Sequence, residues 1–284
     1  MPNVAVVTDS IACLTRELVE QYQIGIVPIM LLVQGKVYRN GVAMTPSQAY
    51  ELFLEDPESF NTSPASPGHY LEAYREVSKQ ARNILCITLS SKLSTGYEMA
   101  RVAKEQAEAE LPEISIEVLD SQNVTAAEGF IALAAARAAA EGKSFTEVIR
   151  VAEEIRDRVS FLIVVDTLRH VYRTGRIPKI ASRVGSMLNI RPILTSSSGL
   201  VSFKGVVRNR EQGVNRILQE MREKVGQSPV HVAVMHAYVP DDAEKLKERI
   251  EAEFNCVELF ITEFTPVMGY ATGTSTLGFA FYKE

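Results

Sequence analysis

Short apolar runs alternate with amphipathic segments along the first 165 residues of the chain. The apolar runs cover residues 4–7, 24–33, 83–89, 114–119 and 161–165. The segments with helical spacing that lie between them cover residues 14–21, 97–110, 126–141 and 145–158. Strands that alternate with helices of about ten or more residues form βαβ units, and consecutive units build a parallel sheet. This pattern therefore predicts an α/β domain.

Turn and capping signals mark where several of these elements begin and end. Residues 34–36 form a turn with a glycine, which predicts a hairpin at the end of the second apolar run. Thr45-Pro46-Ser47-Gln48 predicts a helix start with a capping box, and Ser66-Pro67 predicts another start of the same kind. The polar residues 61–64 are expected to belong to a long loop before Ser66.

The pattern of elements changes near residue 160. Ser196-Ser197-Ser198-Gly199 joins two apolar runs and predicts a hairpin. Two helical patterns and three apolar runs follow, at residues 211–225 and 241–253 and at residues 230–236, 257–262 and 278–282. The sequence predicts an α/β protein of two domains, a Rossmann-like parallel-sheet domain at residues 1–158 and an α+β domain at residues 159–284.

Composition and charge narrow the class of protein further. The chain has 284 residues and a net charge of −5, which argues against a basic surface for nucleic acid. Its three cysteines are far apart and form no CxxC pair, so a reducing compartment is expected. No signal peptide and no apolar run of roughly 18 residues stands out. We therefore expect a cytoplasmic protein that does not span a membrane.

Hydroxyl and carboxyl side chains follow the predicted strands at the edge where α/β sheets bind ligands. Asp9 follows the first strand, Ser91 and Ser94 follow the third, and Ser121 follows the fourth. Thr62 lies in the polar segment before Ser66. Helix capping accounts well for Asp9 and Ser121. A helix cap needs only one hydroxyl, and these segments contain several. The surplus favours a functional role for Thr62 and Ser94.

Several catalytic and cofactor motifs are missing from the sequence. It contains no GxGxxG after the first strand, no GxxxxGK[ST], no GxSxG and no HExxH. A small hydrolase or phosphatase that uses Ser94 or Asp9 stays open as an alternative, although the spacing places no base beside Ser94. Arg176 ends a helical stretch after Thr174 and Gly175, and an arginine there suits a carboxylate or a phosphate.

These motifs together resemble one known family. They are Thr8-Asp9-Ser10, Thr62-Ser63-Pro64, Ser90-Ser91-Lys92-Leu93-Ser94 with Tyr97, Asp120-Ser121, Gly175-Arg176-Ile177, residues 189–194, and the series Gly269, Gly273 and Gly278. Each motif alone is weak evidence. In this order and spacing, the motifs make the chain resemble the DegV family of bacterial fatty-acid-binding proteins. The resemblance covers essentially the whole chain.

The resemblance implies a non-catalytic protein that buries a long-chain fatty acid such as palmitate, with a role in lipid transport or fatty acid metabolism. It implies that Thr62 and Ser94 hold the carboxylate and that the fatty acid is the ligand, without any further cofactor. The residues predicted to contact the ligand are Thr62, Ser63, Ser91, Ser94, Thr95, Arg176 and Gly269. Candidates for the apolar wall are Ile26, Val27, Ile29, Met30, Leu119, Phe130 and Ile163.

The resemblance also makes a fatty acid kinase catalytic subunit a candidate partner. The chain departs from the family pattern at Ala271, where the family usually has a histidine near the head group. It departs again at Thr174, which replaces the first glycine of the family's Gly-Gly-Arg. Carboxylate binding through hydroxyls survives both changes, whereas the loss of the histidine argues against presentation of the acid for phosphorylation.

Overall fold

The computed structural model describes residues 3–40, 44–176 and 190–284, and within them the strands form three sheets. In chain order the strands are β1 (Val4–Asp9), β2 (Gly25–Val27), β3 (Met30–Val33), β4 (Lys36–Arg39), β5 (Phe60–Ser63), β6 (Asn83–Thr88), β7 (Ser115–Asp120), β8 (Ser160–Val164), β9 (Arg191–Ser197), β10 (Leu200–Val207), β11 (Val230–His236), β12 (Cys256–Glu263) and β13 (Leu277–Lys283). The helices are α1 (Arg16–Tyr22), α2 (Pro46–Glu55), α3 (Pro67–Val77), α4 (Gly96–Glu110), α5 (Ala126–Ala140), α6 (Phe145–Arg158), α7 (Arg169–Arg173), α8 (Arg210–Val225), α9 (Pro240–Glu253) and α10 (Pro266–Thr272). One-turn 3₁₀ helices at Ser10–Ala12 and Pro57–Ser59 follow β1 and α2.

The first sheet is parallel, as the alternation of strands and helices predicts. Its order is β2-β1-β6-β7, and every neighbouring pair is parallel. Helices α3 and α4 pack on one face and α5 packs on the other. Asp9 is the last residue of β1 and Asp120 is the last residue of β7, so both stand at the carboxyl edge of the sheet.

A small antiparallel sheet replaces the loop that was expected around Thr62. Its order is β4-β3-β5, and Leu31 of β3 pairs with Thr62 of β5. The expectation of a long loop is therefore wrong for residues 61–63. Residues 61–63 do not alternate between apolar and polar side chains, so they give no strand signal. The strand is anchored by Phe60, whose ring packs edge-on against Phe53 with 5.3 Å between the ring centres.

The second apolar run, residues 24–33, forms two strands rather than one. β2 pairs with β1 in the parallel sheet, whereas β3 belongs to the small antiparallel sheet. Pro28 lies between them and has no backbone N–H to donate. The next N–H, from Ile29, donates to the Ser10 hydroxyl at 3.1 Å. The chain therefore leaves one sheet and enters the other at this point.

The last part of the chain forms a six-stranded mixed sheet. Its order is β10-β9-β8-β13-β11-β12, with only the β11–β12 pair parallel among these strands. One face, which includes Leu162 and Phe279, packs against α8 and α9. The other face, which includes Ile163 and Ala280, joins the core of the first sheet. The predicted combination of a parallel-sheet half and an α+β half is confirmed.

Helix α5 lies between the two large sheets. It contacts β1 and β6 of the parallel sheet and β8 and β13 of the mixed sheet. A helix that is apolar on every side belongs in a core, and the alanine-rich sequence of α5 suits such close packing. A Cβ atom on Gly129 would lie 2.3 Å from the carbonyl oxygen of Ala12, so the backbones approach as closely as glycine allows.

One hydrophobic cluster takes in side chains from both large sheets. The division into domains at 158/159 falls between α6 and β8 and stays a prediction. Among the helices of the described residues, none has the length and hydropathy needed to cross a membrane.

We expect Gly278→Ala to destabilise the protein by about 1–3 kcal/mol, the usual range for overpacking a core. Gly278 lies in β13, and a Cβ there would sit 2.0 Å from the Leu162 carbonyl oxygen. Gly205→Ala, in β10, is the matched control because its Cβ would meet no atom within 4 Å. Urea unfolding of both variants measures the difference, and equal midpoints would contradict the packing described for β13.

Candidate functional site

A cavity lies between the parallel sheet and the mixed sheet, next to α7 and α10. The volume of the cavity is about 120 Å³, several times the roughly 10–15 Å³ that one water molecule requires. The cavity is therefore large enough for a small-molecule ligand.

Most of the cavity wall is apolar. The aliphatic and aromatic lining residues are Ile11, Ile29, Leu89, Leu93, Val124, Phe161, Ile163, Val171, Leu194, Val201, Val267, Met268 and Tyr270. They come from the mixed sheet, from α7, from α10 and from the segments that connect the strands of the first sheet to their neighbours. An apolar wall of this extent favours a long hydrocarbon group over a sugar or a nucleotide.

Polar side chains gather where the cavity meets the outside. A second, more open pocket adjoins the cavity, and the two share Pro64, Leu93, Ser94, Thr174 and Arg176. We call this outer pocket the vestibule. We call Thr62, Ser63, Ser94, Thr174 and Arg176, which all line the cavity, the head-group end.

The loop that carries Ser94 is held by main-chain hydrogen bonds. The N–H of Ser94 donates to the Ser90 carbonyl at 3.2 Å, and the N–H of Ser90 donates to the Asn123 carbonyl at 2.9 Å. The Ser94 hydroxyl accepts from the N–H of Gly96 at 3.2 Å. That bond orients the Ser94 oxygen and leaves its own proton free to point at a ligand acceptor.

Thr62 reaches the cavity from β5. Pairing with Leu31 fixes its backbone, and its N–H donates to the Asn61 side chain at 2.8 Å. The neighbouring Ser63, the last residue of β5, also lines the cavity. Thr62 is half-buried, whereas Ser63 is exposed.

Arg176 follows α7 and brings a positive charge to the head-group end. Its Nε donates to the Leu93 carbonyl at 3.2 Å, and its Nη1 donates to the Thr174 carbonyl. No carboxylate pairs with it among the residues that the structure describes. The guanidinium is thus oriented by carbonyls and keeps its charge for a bound anion.

Behind the cavity, the carboxyls of Asp9 and Glu128 are both fully buried, and each influences the pKa of the other. Asp9 accepts the N–H of Ile11 at 2.9 Å and of Leu89 at 3.0 Å, and both of these residues line the cavity. Glu128 accepts from the Thr8 hydroxyl at 3.1 Å. Burial raises the pKa of Asp9 to about 6, and burial beside Asp9 raises the pKa of Glu128 well above its ordinary value.

A family model described as an uncharacterised protein of the DegV family matches residues 3–284. The chain belongs to the DegV family. A DegV domain-containing protein of Caldanaerobacter subterraneus subsp. tengcongensis is 31% identical over 265 residues, which is 93% of this chain and 91% of that protein. The resemblance inferred from the motifs is therefore confirmed.

Solved structures of the family share the same fold. A DegV family protein from Thermus thermophilus, described for its fatty acid binding, matches with a TM-score of 0.91 and 26% identity. That match covers 99% of this chain and 100% of the other. DegV from Bacillus subtilis, described as a fatty acid binding protein, matches with a TM-score of 0.88 and 28% identity over the full length of both chains.

The structure brings four of the seven predicted contact residues to the cavity, namely Thr62, Ser63, Ser94 and Arg176. Ser91 and Thr95 line only the vestibule. The hydroxyl of Ser91 donates to the Asp120 carboxylate at 2.5 Å, so it is already engaged.

Gly269 does not line the cavity. A Cβ on Gly269 would lie 2.0 Å from Cε1 of Tyr50, so this glycine lets α10 pack against α2. The structure therefore gives Gly269 a packing role, and its contact with a ligand stays a prediction. Of the predicted wall residues, Ile29 and Ile163 line the cavity. Ile177 and Asn189, which contribute to the resemblance, lie outside the described residues.

Some cavity residues were not singled out from the sequence as ligand contacts. Thr125 lines the cavity and begins α5, where its hydroxyl accepts the N–H of Ala126. Its φ of 60° is unusual for a β-branched residue and is not readable from sequence. Ala271 also lines the cavity, so the position that resembles the family's histidine does face it.

We expect Glu128→Gln to change the free energy of unfolding at pH 7 by less than about 1 kcal/mol. A glutamine amide supplies the same acceptor oxygen for Thr8, and its N–H replaces the O–H that a protonated Glu128 offers to Asp9. Glu105→Gln, at an exposed position of α4, is the matched control. A loss of several kcal/mol at Glu128 in urea unfolding would mean that Glu128 is ionised in the folded protein.

We expect the Asp9 carboxyl to make the protein less stable as the pH rises from about 4 to about 6. Its pKa is higher in the folded chain, about 6, than its ordinary 3.8, so the folded state binds more protons in this range. This pKa shift corresponds to a change on the order of 3 kcal/mol in the free energy of unfolding. The check is the difference in unfolding free energy between the native chain and Asp9→Asn against pH. A difference that is flat between pH 4 and 6 would contradict it.

Proposed function

We propose that this protein binds a long-chain fatty acid, with the tail in the apolar cavity and the carboxylate at the head-group end. The observation that carries the proposal is the form of the cavity, which is apolar along its length and polar where it meets the vestibule. Two relatives with the same fold and more than 25% identity, from Thermus thermophilus and Bacillus subtilis, are described as fatty acid binding.

The two ends of the ligand contribute differently to affinity. Burial of about 14 methylenes at about 0.8 kcal/mol each provides on the order of 11 kcal/mol before entropy losses. A hydrogen bond to a charged carboxylate adds only about 1.5–3 kcal/mol. The tail therefore sets the affinity, while Thr62, Ser94 and Arg176 set the orientation and favour an acid over an uncharged lipid.

The alternative of a hydrolase or phosphatase receives no support from the geometry of its two candidate residues. Both oxygens of Asp9 are occupied by main-chain N–H groups in a fully buried position, so Asp9 is not placed to attack a substrate. Within the described residues, Ser94 Oγ is hydrogen-bonded only to a main-chain N–H and has no histidine beside it. A positioned base is what a nucleophilic serine needs.

A fatty acid kinase catalytic subunit remains a proposed partner rather than an established one. The vestibule exposes the head-group end, so a carboxylate held there is accessible from outside. Ala271 supplies a methyl group to the cavity where the family usually has a histidine. Transfer of a phosphoryl group to the bound acid would therefore have to rely on other polar groups, such as Arg176.

Mass spectrometry of the small molecules extracted from purified, undelipidated protein tests the proposal directly. We expect one long-chain fatty acid per chain. If the protein is empty and calorimetry detects no binding of palmitate or stearate, the proposal is wrong. Recovery of a sugar or a nucleotide would also overturn it, because the apolar wall would then be unused.

We expect Thr62→Val and Ser94→Ala each to weaken fatty acid binding by about tenfold, because each removes one hydrogen bond to a charged group. Thr146→Val, at an exposed position of α6, is the control for loss of a hydroxyl. Calorimetric titration with palmitate and with the matching alcohol, hexadecanol, measures the effect. Equal losses for the acid and the alcohol would show that these hydroxyls do not contact the carboxylate.

A further inference from the structure

Arg173, the last residue of α7, contacts two other parts of the structure. Its Nη1 donates to the Pro57 carbonyl at 2.8 Å and lies 3.4 Å from the Glu58 carboxylate. Its Nη2 donates to the Tyr270 carbonyl at 3.4 Å. The guanidinium carbon lies 4.5 Å from the centre of the Tyr270 ring. The Arg173 side chain is 19% exposed, so these contacts are largely shielded from water.

Each contacted part either contains a residue of the cavity wall or leads into a strand that does. Pro57 and Glu58 lie in the 3₁₀ turn that leads directly into β5, which carries Thr62. Tyr270 belongs to α10 and itself lines the cavity. Arg173 itself ends α7, whose Val171 also lines the cavity. One guanidinium therefore connects three of the elements that surround the head-group end.

The geometry requires an arginine rather than any positive charge. A planar guanidinium donates in two directions while it lies over an aromatic ring, which a lysine ammonium does not do. The Arg173 guanidinium also lies 5.8 Å from the ring of Phe53, which packs on Phe60 at the start of β5. Two independent contacts thus lead from Arg173 to the strand of Thr62.

The neighbouring Arg169 provides a natural comparison. It pairs with the same Glu58 carboxylate at 3.1 Å, but its side chain is 74% exposed. Exposed ion pairs contribute little because water screens them. Glu58 thus has two arginine partners, and only the shielded one also contacts α10 and the ring of Phe53.

We propose that Arg173 is a positioning residue that holds β5, α7 and α10 together and thereby places Thr62 for the ligand carboxylate and slows ligand release. The inference rests on the proposed fatty acid binding. Arg173 does not line the cavity and acts through the residues that do. Its effect should therefore appear in the dissociation rate and in the contribution of Thr62, beyond any change in fold stability.

The first test measures transfer of palmitate from the full-length protein to excess acceptor vesicles of phosphatidylcholine. We expect Arg173→Gln to release palmitate about tenfold faster, because the loss of one hydrogen bond from a charged group typically changes affinity by about that factor. Arg173→Lys should release palmitate at an intermediate rate, because a lysine ammonium can still pair with Glu58 but cannot donate to both carbonyls. Arg169→Gln is the matched control and should release palmitate at the native rate. An Arg173→Gln variant that also releases at the native rate overturns the inference.

A double-mutant cycle separates positioning from general stabilisation. If Arg173 places Thr62, Thr62→Val weakens palmitate binding several-fold less in the Arg173→Gln background than in the native one. A purely structural role for Arg173 would give the same factor in both backgrounds, and that result overturns the inference. Should Arg173→Gln fail to fold, as seen in its thermal unfolding, the cycle is run with Arg173→Lys.

Failure of this inference and failure of the proposed function give different results. Native protein that binds no palmitate at all contradicts the proposed function. Native protein that binds palmitate, together with an additive cycle, contradicts only the role of Arg173. Where palmitate binds, the Arg169→Gln cycle with Thr62→Val is the control and should be additive, since among the described residues the Arg169 side chain is hydrogen-bonded to Glu58 alone.

Discussion

The buried pair of Asp9 and Glu128 is the constraint on which the geometry of the cavity depends. Both carboxyls are removed from water, so they cannot both be ionised at moderate cost. A protonated Glu128 that donates to an ionised Asp9 satisfies both groups. Asp9 then has oxygens to accept from Ile11 and Leu89, which are 78 residues apart in sequence and adjacent in the cavity wall. Two segments of that wall are thus fixed by one side chain.

The same pair also joins α5 to the parallel sheet. Glu128 is in the first turn of α5, where a carboxyl interacts favourably with the helix dipole, and Thr8 of β1 donates to it. The opposite side of α5 packs against the mixed sheet, and near its other end Arg137 pairs with Glu258 of β12. Since α5 consists mostly of small residues, the sheets approach it closely. The cavity then opens beyond its N-terminus, at Val124 and Thr125.

Much of the fold could be predicted from the sequence because local signals and burial agree. The capping box at Thr45 and the start of α3 at Ser66 are both present, and β11 spans the predicted residues 230–236. The position of Ser94 beyond the carboxyl end of a strand also followed from its place after a predicted apolar run. These features depend on neighbours within a few residues or on hydrophobic periodicity, which a single sequence displays.

Other features depend on distant partners and could not be predicted in this way. β5 is a strand because β3 is beside it, and its own residues are polar. Gly269 is a packing glycine because Tyr50, 219 positions away, lies against it. Ser91 is engaged by Asp120, whereas Ser94, three residues later, faces the cavity. A serine-rich loop shows where hydroxyls gather, but only the tertiary structure decides which of them remains available to a ligand.

The hairpin of β9 and β10 shows how the two halves of the chain are brought together at the head-group end. Ser90 donates to the Gly199 carbonyl at 2.6 Å, and the Lys92 ammonium donates to the Ser198 carbonyl at 2.7 Å. Gly199 has a φ of 80°, and a Cβ there would lie 2.8 Å from the Ser90 hydroxyl. The turn therefore needs glycine both for its conformation and for this approach. Because Val201, two residues after Gly199, lines the cavity together with Ser94, the loop of Ser94 and the mixed sheet are held together where they enclose the cavity.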